Sequence, residues 1–120
     1  MAQRFESLEV RQKSFDLTAD VYQAFESCKD YGLKDHVTRS ALSVPSNISE
    51  GFERNSNREF IHFLRIAKGS CGELRTQLLL AQRINHLRKP LGNDLVKRAE
   101  AVSSMLAGFI KARESLSSNH

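Results

Sequence analysis

Apolar residues recur along this chain with the period of amphipathic helices. The clearest series alternates spacings of three and four residues: Phe60, Leu64, Ala67, Cys71, Leu74, Leu78, Ala81 and Asn85. A second series of the same kind follows nearer the C-terminus: Leu95, Ala99, Val102, Leu106, Phe109 and Leu116. This alternation is typical of helices that pack nearly antiparallel. We find no segment with the strict alternation of apolar and polar residues that indicates a half-buried strand.

The same reading, extended along the chain, predicts four helices over about residues 8–28, 33–54, 57–87 and 93–116. Ser56 and Glu59 have the spacing of a capping box and predict the start of the third helix. At 120 residues the chain suits a single domain, residues 1–120. Four amphipathic helices with short connections predict an all-α protein, an antiparallel up-down-up-down four-helix bundle.

Residues 43–51, with the sequence SVPSNISEG, interrupt the second predicted helix with a proline and several small polar residues. The apolar period nevertheless continues through Pro45, although a proline inside a helix costs about 3 kcal/mol. We therefore predict that the second helix is kinked at Pro45, which leaves the carbonyl of Ala41 without its helical donor. The segment has a predicted packing role, carried by five residues: Pro45, Ser46, Asn47, Glu50 and Gly51. Direct contact of these residues with a ligand is the alternative.

The net charge of +4 is concentrated in the middle of the chain, where residues 36–90 carry nine Lys/Arg against four Asp/Glu. Candidate phosphate contacts lie at the end of the second helix and along the third: Arg54, Arg58, Arg65, Lys68 and Arg75. On a helical wheel, the four on the third helix fall with Arg83 within an arc of roughly 100°. Such a stripe fits a nucleic-acid backbone, but it is also typical of a solvent-exposed face.

Apolar residues also lie outside the predicted core, and they predict self-association. On the third helix they are Ile61, Ile66, Leu79, Leu80 and Ile84. Surplus apolar surface indicates a partner, and a second copy of the chain is the simplest one. No run of apolar residues is long enough for a membrane span, and the N-terminus lacks the apolar core of a signal peptide, so we expect a cytoplasmic protein without a membrane partner.

The search for catalytic chemistry yields little. Glu59 and His62 have the Glu-x-x-His spacing of di-iron bundles, but those sites need two copies, and this chain has one. The serines of residues 43–51 have no histidine within a few turns to act as a base. We therefore predict no catalytic residues, no metal, no cofactor and no enzymatic activity.

The sequences SVPSNISEGFER and NREFIHFLRIAKGSCGELRTQLLLAQ resemble the four-helix-bundle proteins encoded in intervening sequences of bacterial large-subunit ribosomal RNA genes. The resemblance extends from the first helix to about Leu87. Gly72 is a departure, since the family more often has a bulkier residue there. The resemblance implies a homopentamer related to the accessory variability determinant proteins of diversity-generating retroelements, which are basic pentameric bundles that bind nucleic acid and a reverse transcriptase.

Two functional hypotheses follow. The first is a non-enzymatic homopentamer that binds nucleic acid, with structured RNA as the preferred ligand, through Arg54, Arg58, Arg65, Lys68 and Arg75. The alternative is a protein-interaction scaffold that binds a reverse transcriptase or another protein without nucleic acid.

Overall fold

Four helices form the fold in the computed structural model, which describes residues 2–118 and the side chains of residues 7–116. They are α1 (Ala2–Ala24), α2 (Tyr31–Phe52), α3 (Asn57–Arg83) and α4 (Lys89–Ser118). Each helix contacts its neighbours along the chain, and α4 also contacts α1, so the four close into a ring around one core. The bundle measures 51 × 22 × 19 Å. The all-α, four-helix fold is confirmed.

The two apolar series predicted from the sequence form most of the α3 and α4 core. All the residues of the first series are buried except Asn85, and all those of the second except Leu116. Both exceptions lie at or beyond a helix end, where the helical period no longer directs a side chain inward. None of the described helices has the length and apolarity required to cross a membrane.

Helix boundaries differ from the prediction at several ends. The first helix begins at Ala2 and ends at Ala24, and the second begins at Tyr31 rather than at Leu33. Asp30, which lies outside the predicted helices, is the N-cap of α2, where its carboxylate accepts a hydrogen bond of 3.1 Å from the Leu33 N–H. This bond satisfies an amide that has no partner within the helix.

The loop between α3 and α4 also differs from the prediction. The third helix ends at Arg83, because Asn85 adopts a left-handed conformation with φ of 64°. The fourth helix begins at Lys89 instead of residue 93, so Pro90 lies in its first turn. Proline is well tolerated there, since the first amides of a helix have no intrahelical acceptor. At the start of α3, the predicted cap is confirmed, with Ser56 accepting from the Glu59 N–H at 3.1 Å.

Helix α2 is continuous through Pro45. The carbonyl of Ala41, which Pro45 cannot bond, accepts a hydrogen bond of 2.8 Å from the Thr18 hydroxyl of α1. The same hydroxyl lies 2.9 Å from the carbonyl of Ser14, which already has a helical donor. A buried carbonyl without a donor is costly, so Thr18 offsets part of the cost of the proline. The predicted kink at Pro45 stays a prediction.

The inner side of residues 43–51 packs against α3. The Ser43 and Ser70 hydroxyls share a hydrogen bond of 2.8 Å, and the Asn47 amide donates to the Ser43 carbonyl at 2.8 Å. A Cβ atom on Gly51 would lie 3.3 Å from both the Phe60 carbonyl oxygen and the Phe63 Cβ. The glycine therefore permits a close approach of α2 and α3. Glu50 also forms an ion pair with Arg54, one helical turn away.

An aromatic cluster fills the end of the bundle where α2 leads into α3. The rings of Phe52, Phe60 and Phe109 contact one another edge to face, with centroids 4.8 to 5.9 Å apart. The Arg11 guanidinium lies 3.8 Å from the centre of the Phe52 ring, and that of Arg113 lies 4.5 Å from the centre of Phe60. These arginines therefore cover this end of the core through cation–π contacts with the two rings.

Candidate nucleic-acid interface

A groove of about 750 Å³ runs between α3 and α4 on the outside of the bundle. Its α3 side carries basic and small residues: Arg65, Lys68, Gly69, Gly72 and Arg75. Its α4 side carries small and acidic residues: Ala99, Glu100, Ser103, Ala107 and Glu114. We call it the α3–α4 groove. Three of the five basic residues predicted from the sequence are thus brought together along one side of a surface depression.

Two of the predicted residues are already engaged within the protein. Arg54 forms an ion pair with Glu50, and its guanidinium lies 4.7 Å from the centre of the Phe63 ring. Arg65 forms an ion pair across the groove with Glu114 of α4. Both arginines are less available to a phosphate than their charge in the sequence indicates, because an incoming anion must compete with a carboxylate.

The other three predicted residues have no ion pair with any residue that the structure describes. Lys68 and Arg75 are exposed on the α3 side of the groove, and Arg58 is exposed in the first turn of α3. Since no described carboxylate holds these long cationic side chains, they can pair with an anion without losing an internal ion pair. The basic residues predicted on α3 are therefore exposed, but fewer of them lack an internal ion pair than the sequence indicates.

The acidic side of the groove was missed. Glu100 and Glu114 come from α4, so no pattern within α3 could have revealed them. Only the pairing of α3 with α4 brings Glu114 to Arg65, which lies 49 residues earlier. With these carboxylates included, the groove has a nearly balanced charge, and a polyanion would be attracted mainly to its Lys68 and Arg75 rim.

The centre of the groove is open because its residues are small. A Cβ atom added to Gly69 or to Gly72 would have no atom within 4 Å other than its own helix and chain neighbours. Neither glycine is needed for packing within a single chain. Beneath them lies Cys71, a free cysteine, and burial raises the pKa of its thiol to about 12. The thiol is therefore protonated and unreactive near neutral pH.

A second groove, of about 550 Å³, lies between α1 and α2. We call it the α1–α2 groove. It is lined mainly by apolar and small residues: Phe15, Thr18, Ala19, Leu42, Pro45, Ser46 and Ser49. Phe15 is 69% exposed and Leu42 is 49% exposed, although both are large and apolar. The outer side of residues 43–51 therefore helps to build an apolar surface.

The Glu59 and His62 pair belongs to the first turns of α3. Glu59 is exposed and follows the Ser56 cap, and the His62 ring packs against Phe63 with centroids 5.3 Å apart. Among the described residues, no three His, Cys, Asp or Glu side chains converge in a way that could hold a metal ion. The absence of enzymatic activity stays a prediction.

Comparisons with known proteins agree with this architecture. The chain is similar to a solved structure from Bacteroides thetaiotaomicron VPI-5482, a protein of unknown function from the S23 ribosomal protein family. The TM-score is 0.83 with 20% sequence identity, over 88% of this chain and 98% of the other, which supports the fold alone. A comparison with curated proteins gives no significant match. The family model described as 23S rRNA-intervening sequence protein matches residues 6–108, and the chain therefore belongs to that family.

Proposed function

We propose that this protein is a non-enzymatic, homopentameric helical bundle of the cytoplasm that binds structured RNA through the basic side of α3. The observation that carries the proposal is the pair Lys68 and Arg75, exposed without an ion pair among the described residues on the rim of an open groove. In a ring assembly each such contact would be repeated in every subunit. Repetition of weak phosphate contacts raises the overall affinity without any new contact.

Self-association is supported by the α1–α2 groove. Several large apolar side chains of α1 and α2 are exposed in the single chain: Leu8, Phe15, Tyr22 and Leu42. Leu8, Phe15 and Tyr22 are spaced seven residues apart, the repeat of a helix that packs against another helix. Exposed apolar side chains repeated along one helix face favour burial in an oligomer.

The proposal is tested by fluorescence anisotropy with a labelled RNA hairpin that contains an unpaired loop. Changing Lys68→Glu and Arg75→Glu together should lower the affinity at least about ten-fold, because two phosphate contacts become repulsive. The matched control is Lys13→Glu with Arg39→Glu, which makes the same change in net charge on α1 and α2. The control should bind like the wild type. Absence of binding by the folded wild-type protein would overturn the proposal.

The α1–α2 groove also favours a second function, a scaffold that binds another protein without RNA. Its apolar lining fits an amphipathic helix of a partner. In that case the Lys68→Glu and Arg75→Glu variant would retain all binding, and a stoichiometric protein partner would be recovered from nuclease-treated lysate. Phe15→Glu would then abolish recovery of the partner while leaving the mass of the assembly unchanged.

A further inference from the structure

One end of the bundle brings together the loop of residues 25–30 and the loop of residues 84–88. The Asp30 carboxylate contacts the His86 ring, with Oδ2 and Nε2 3.4 Å apart. The buried side chain of Leu87 anchors the second loop to the core. Asn85 in its left-handed conformation fixes the turn between Arg83 and Arg88. The two loops therefore form one ordered surface.

This surface carries an excess of positive charge. Residues 83–98 contain five Lys/Arg against one Asp/Glu, a net charge of +4, which equals that of the entire chain. Five exposed basic residues at this end form no ion pair with a described residue: Lys29, Arg83, Arg88, Lys89 and Lys97. We call them the loop-end cluster.

The acidic residues nearby do not neutralise the cluster, because other side chains engage them. Asp30 contacts His86, and Asp35 pairs with Arg39 at 3.1 Å. Asp94 lies 3.5 Å from Arg98, which also pairs with Asp20 at 2.8 Å. Of the two loops at this end, residues 25–30 and 84–88, the acidic residue without an ion pair to a described residue is Glu26. The opposite end of the bundle differs, since its Arg11, Arg54 and Arg113 are stacked on phenylalanine rings.

Helix stability does not explain the cluster. Arg83 lies in the last turn of α3, where positive charge is favourable, but Arg88 and Lys89 lie at the start of α4. The helix dipole disfavours positive charge there, and the first turn of α4 contains no acidic residue. Positive charge at a helix start, where the helix dipole disfavours it, indicates that the charge serves a function other than helix stability.

Tyr31 adds an aromatic surface to the same end. It begins α2, directly after Asp30, and it is 72% exposed, the highest value among the large apolar side chains described. Lys29 and Tyr31 flank Asp30, and Arg83 and Arg88 lie on either side of its contact residue His86. Cations together with an exposed aromatic ring are the combination that binds unpaired nucleotides, through the phosphates and through base stacking.

We propose that the loop end binds an unpaired loop of RNA, with Arg88 and Lys89 as principal phosphate contacts and Tyr31 as the stacking surface. The proposal rests on the proposed RNA-binding function and gives it a location and a ligand class. Arg83 lies on α3 between the loop end and the residues Arg75 and Lys68. An RNA strand bound at the loop end would therefore continue along the α3–α4 groove.

The test is anisotropy with the labelled RNA hairpin and with a fully paired duplex of the same stem. The wild type should bind the hairpin more tightly than the duplex. Arg88→Gln with Lys89→Gln should weaken hairpin binding at least about ten-fold and reduce the salt-dependence slope by about 1.4, the contribution of two single-strand phosphates. Lys13→Gln with Arg39→Gln is the control of equal charge and should change neither quantity.

Tyr31→Ala should weaken hairpin binding about ten-fold with an unchanged salt slope, and Tyr31→Phe should bind like the wild type. Equal affinity for hairpin and duplex would overturn the proposal. Wild-type binding by the Arg88→Gln and Lys89→Gln variant would overturn it as well. If the Lys68→Glu and Arg75→Glu variant loses binding in the same experiment, only the loop-end location is overturned and the general RNA-binding function is supported. No hairpin binding by any folded form would overturn both.

Discussion

The α1–α2 groove and the α3–α4 groove lie on opposite sides of the ring of helices, and their linings differ. The first is apolar, with Phe15 and Leu42 exposed around Pro45. The second is open and polar, with Lys68 and Arg75 on one side and carboxylates on the other. The helices that form both grooves have the same kind of apolar seam facing the core. The difference teaches that the outward residues, rather than the seam, distinguish the proposed assembly surface from the proposed anion-binding surface.

The largest expected effect concerns the apolar groove. Phe15→Glu with Leu42→Glu should reduce the assembly to single chains, because two charges would be buried in the proposed subunit contact. Light scattering coupled to size-exclusion chromatography gives the mass. Leu91→Glu, a change of another exposed leucine at the start of α4, is the control and should keep the wild-type mass. An unchanged mass for the double variant would assign the apolar groove another role.

The next effect concerns the proline that lines the apolar groove. Thr18→Val should lower the free energy of unfolding by about 1–3 kcal/mol, because the Ala41 carbonyl would lose the donor that replaces its helical bond. Thr18→Ser keeps the hydroxyl and should recover most of the loss. Urea denaturation at one fixed protein concentration measures both. Equal stability of the Val and Ser variants would show that the hydroxyl does not matter.

Glycine-to-alanine changes compare the open groove with a packed position. Gly72→Ala should raise the free energy of unfolding by about 0.5–1 kcal/mol, because its Cβ would contact nothing and a helical glycine is unfavourable. Gly51→Ala should lower it, because its Cβ would lie 3.3 Å from backbone of α3. Thermal unfolding of the two variants provides the test. Destabilisation by Gly72→Ala would mean that another helix covers the α3–α4 groove in the assembly.

The smallest effect concerns the thiol beneath the open groove. Cys71 should resist iodoacetamide at pH 8 in the folded protein, whereas the partly buried Cys28 should react. Because the pKa of Cys71 rises from 9.0 to about 12 on folding, its contribution to stability is complete below pH 9 and is lost as the pH rises toward 12. Mass spectrometry locates the label. Rapid labelling of Cys71 without unfolding would indicate that α3 and α4 separate easily.

The sequence was sufficient for the parts of the structure that depend on local spacing. The seam of α3 and the Ser56 cap follow from residues three or four apart, and both are confirmed. The predicted start of α4 at about residue 93 was wrong, because the helix begins at Lys89 and includes Pro90 in its first turn, where proline fits well.

Long-range contacts could not be predicted in the same way. The unpaired Ala41 carbonyl follows from Pro45, but its donor Thr18 comes from another helix, 23 residues earlier. The neutralisation of Arg65 likewise depends on Glu114 of α4. Candidate site residues can therefore be found from the charge pattern, whereas their availability to a ligand depends on which helices become neighbours.

The central claim is that exposed cations without internal partners bind RNA, and its most direct test is the salt dependence of hairpin binding by the wild-type protein. The logarithm of the association constant should fall linearly with the logarithm of salt concentration, with a slope of about −1.4 or steeper for two or more single-strand phosphates. A slope near zero, or no binding at low salt by a folded assembly, would contradict the claim.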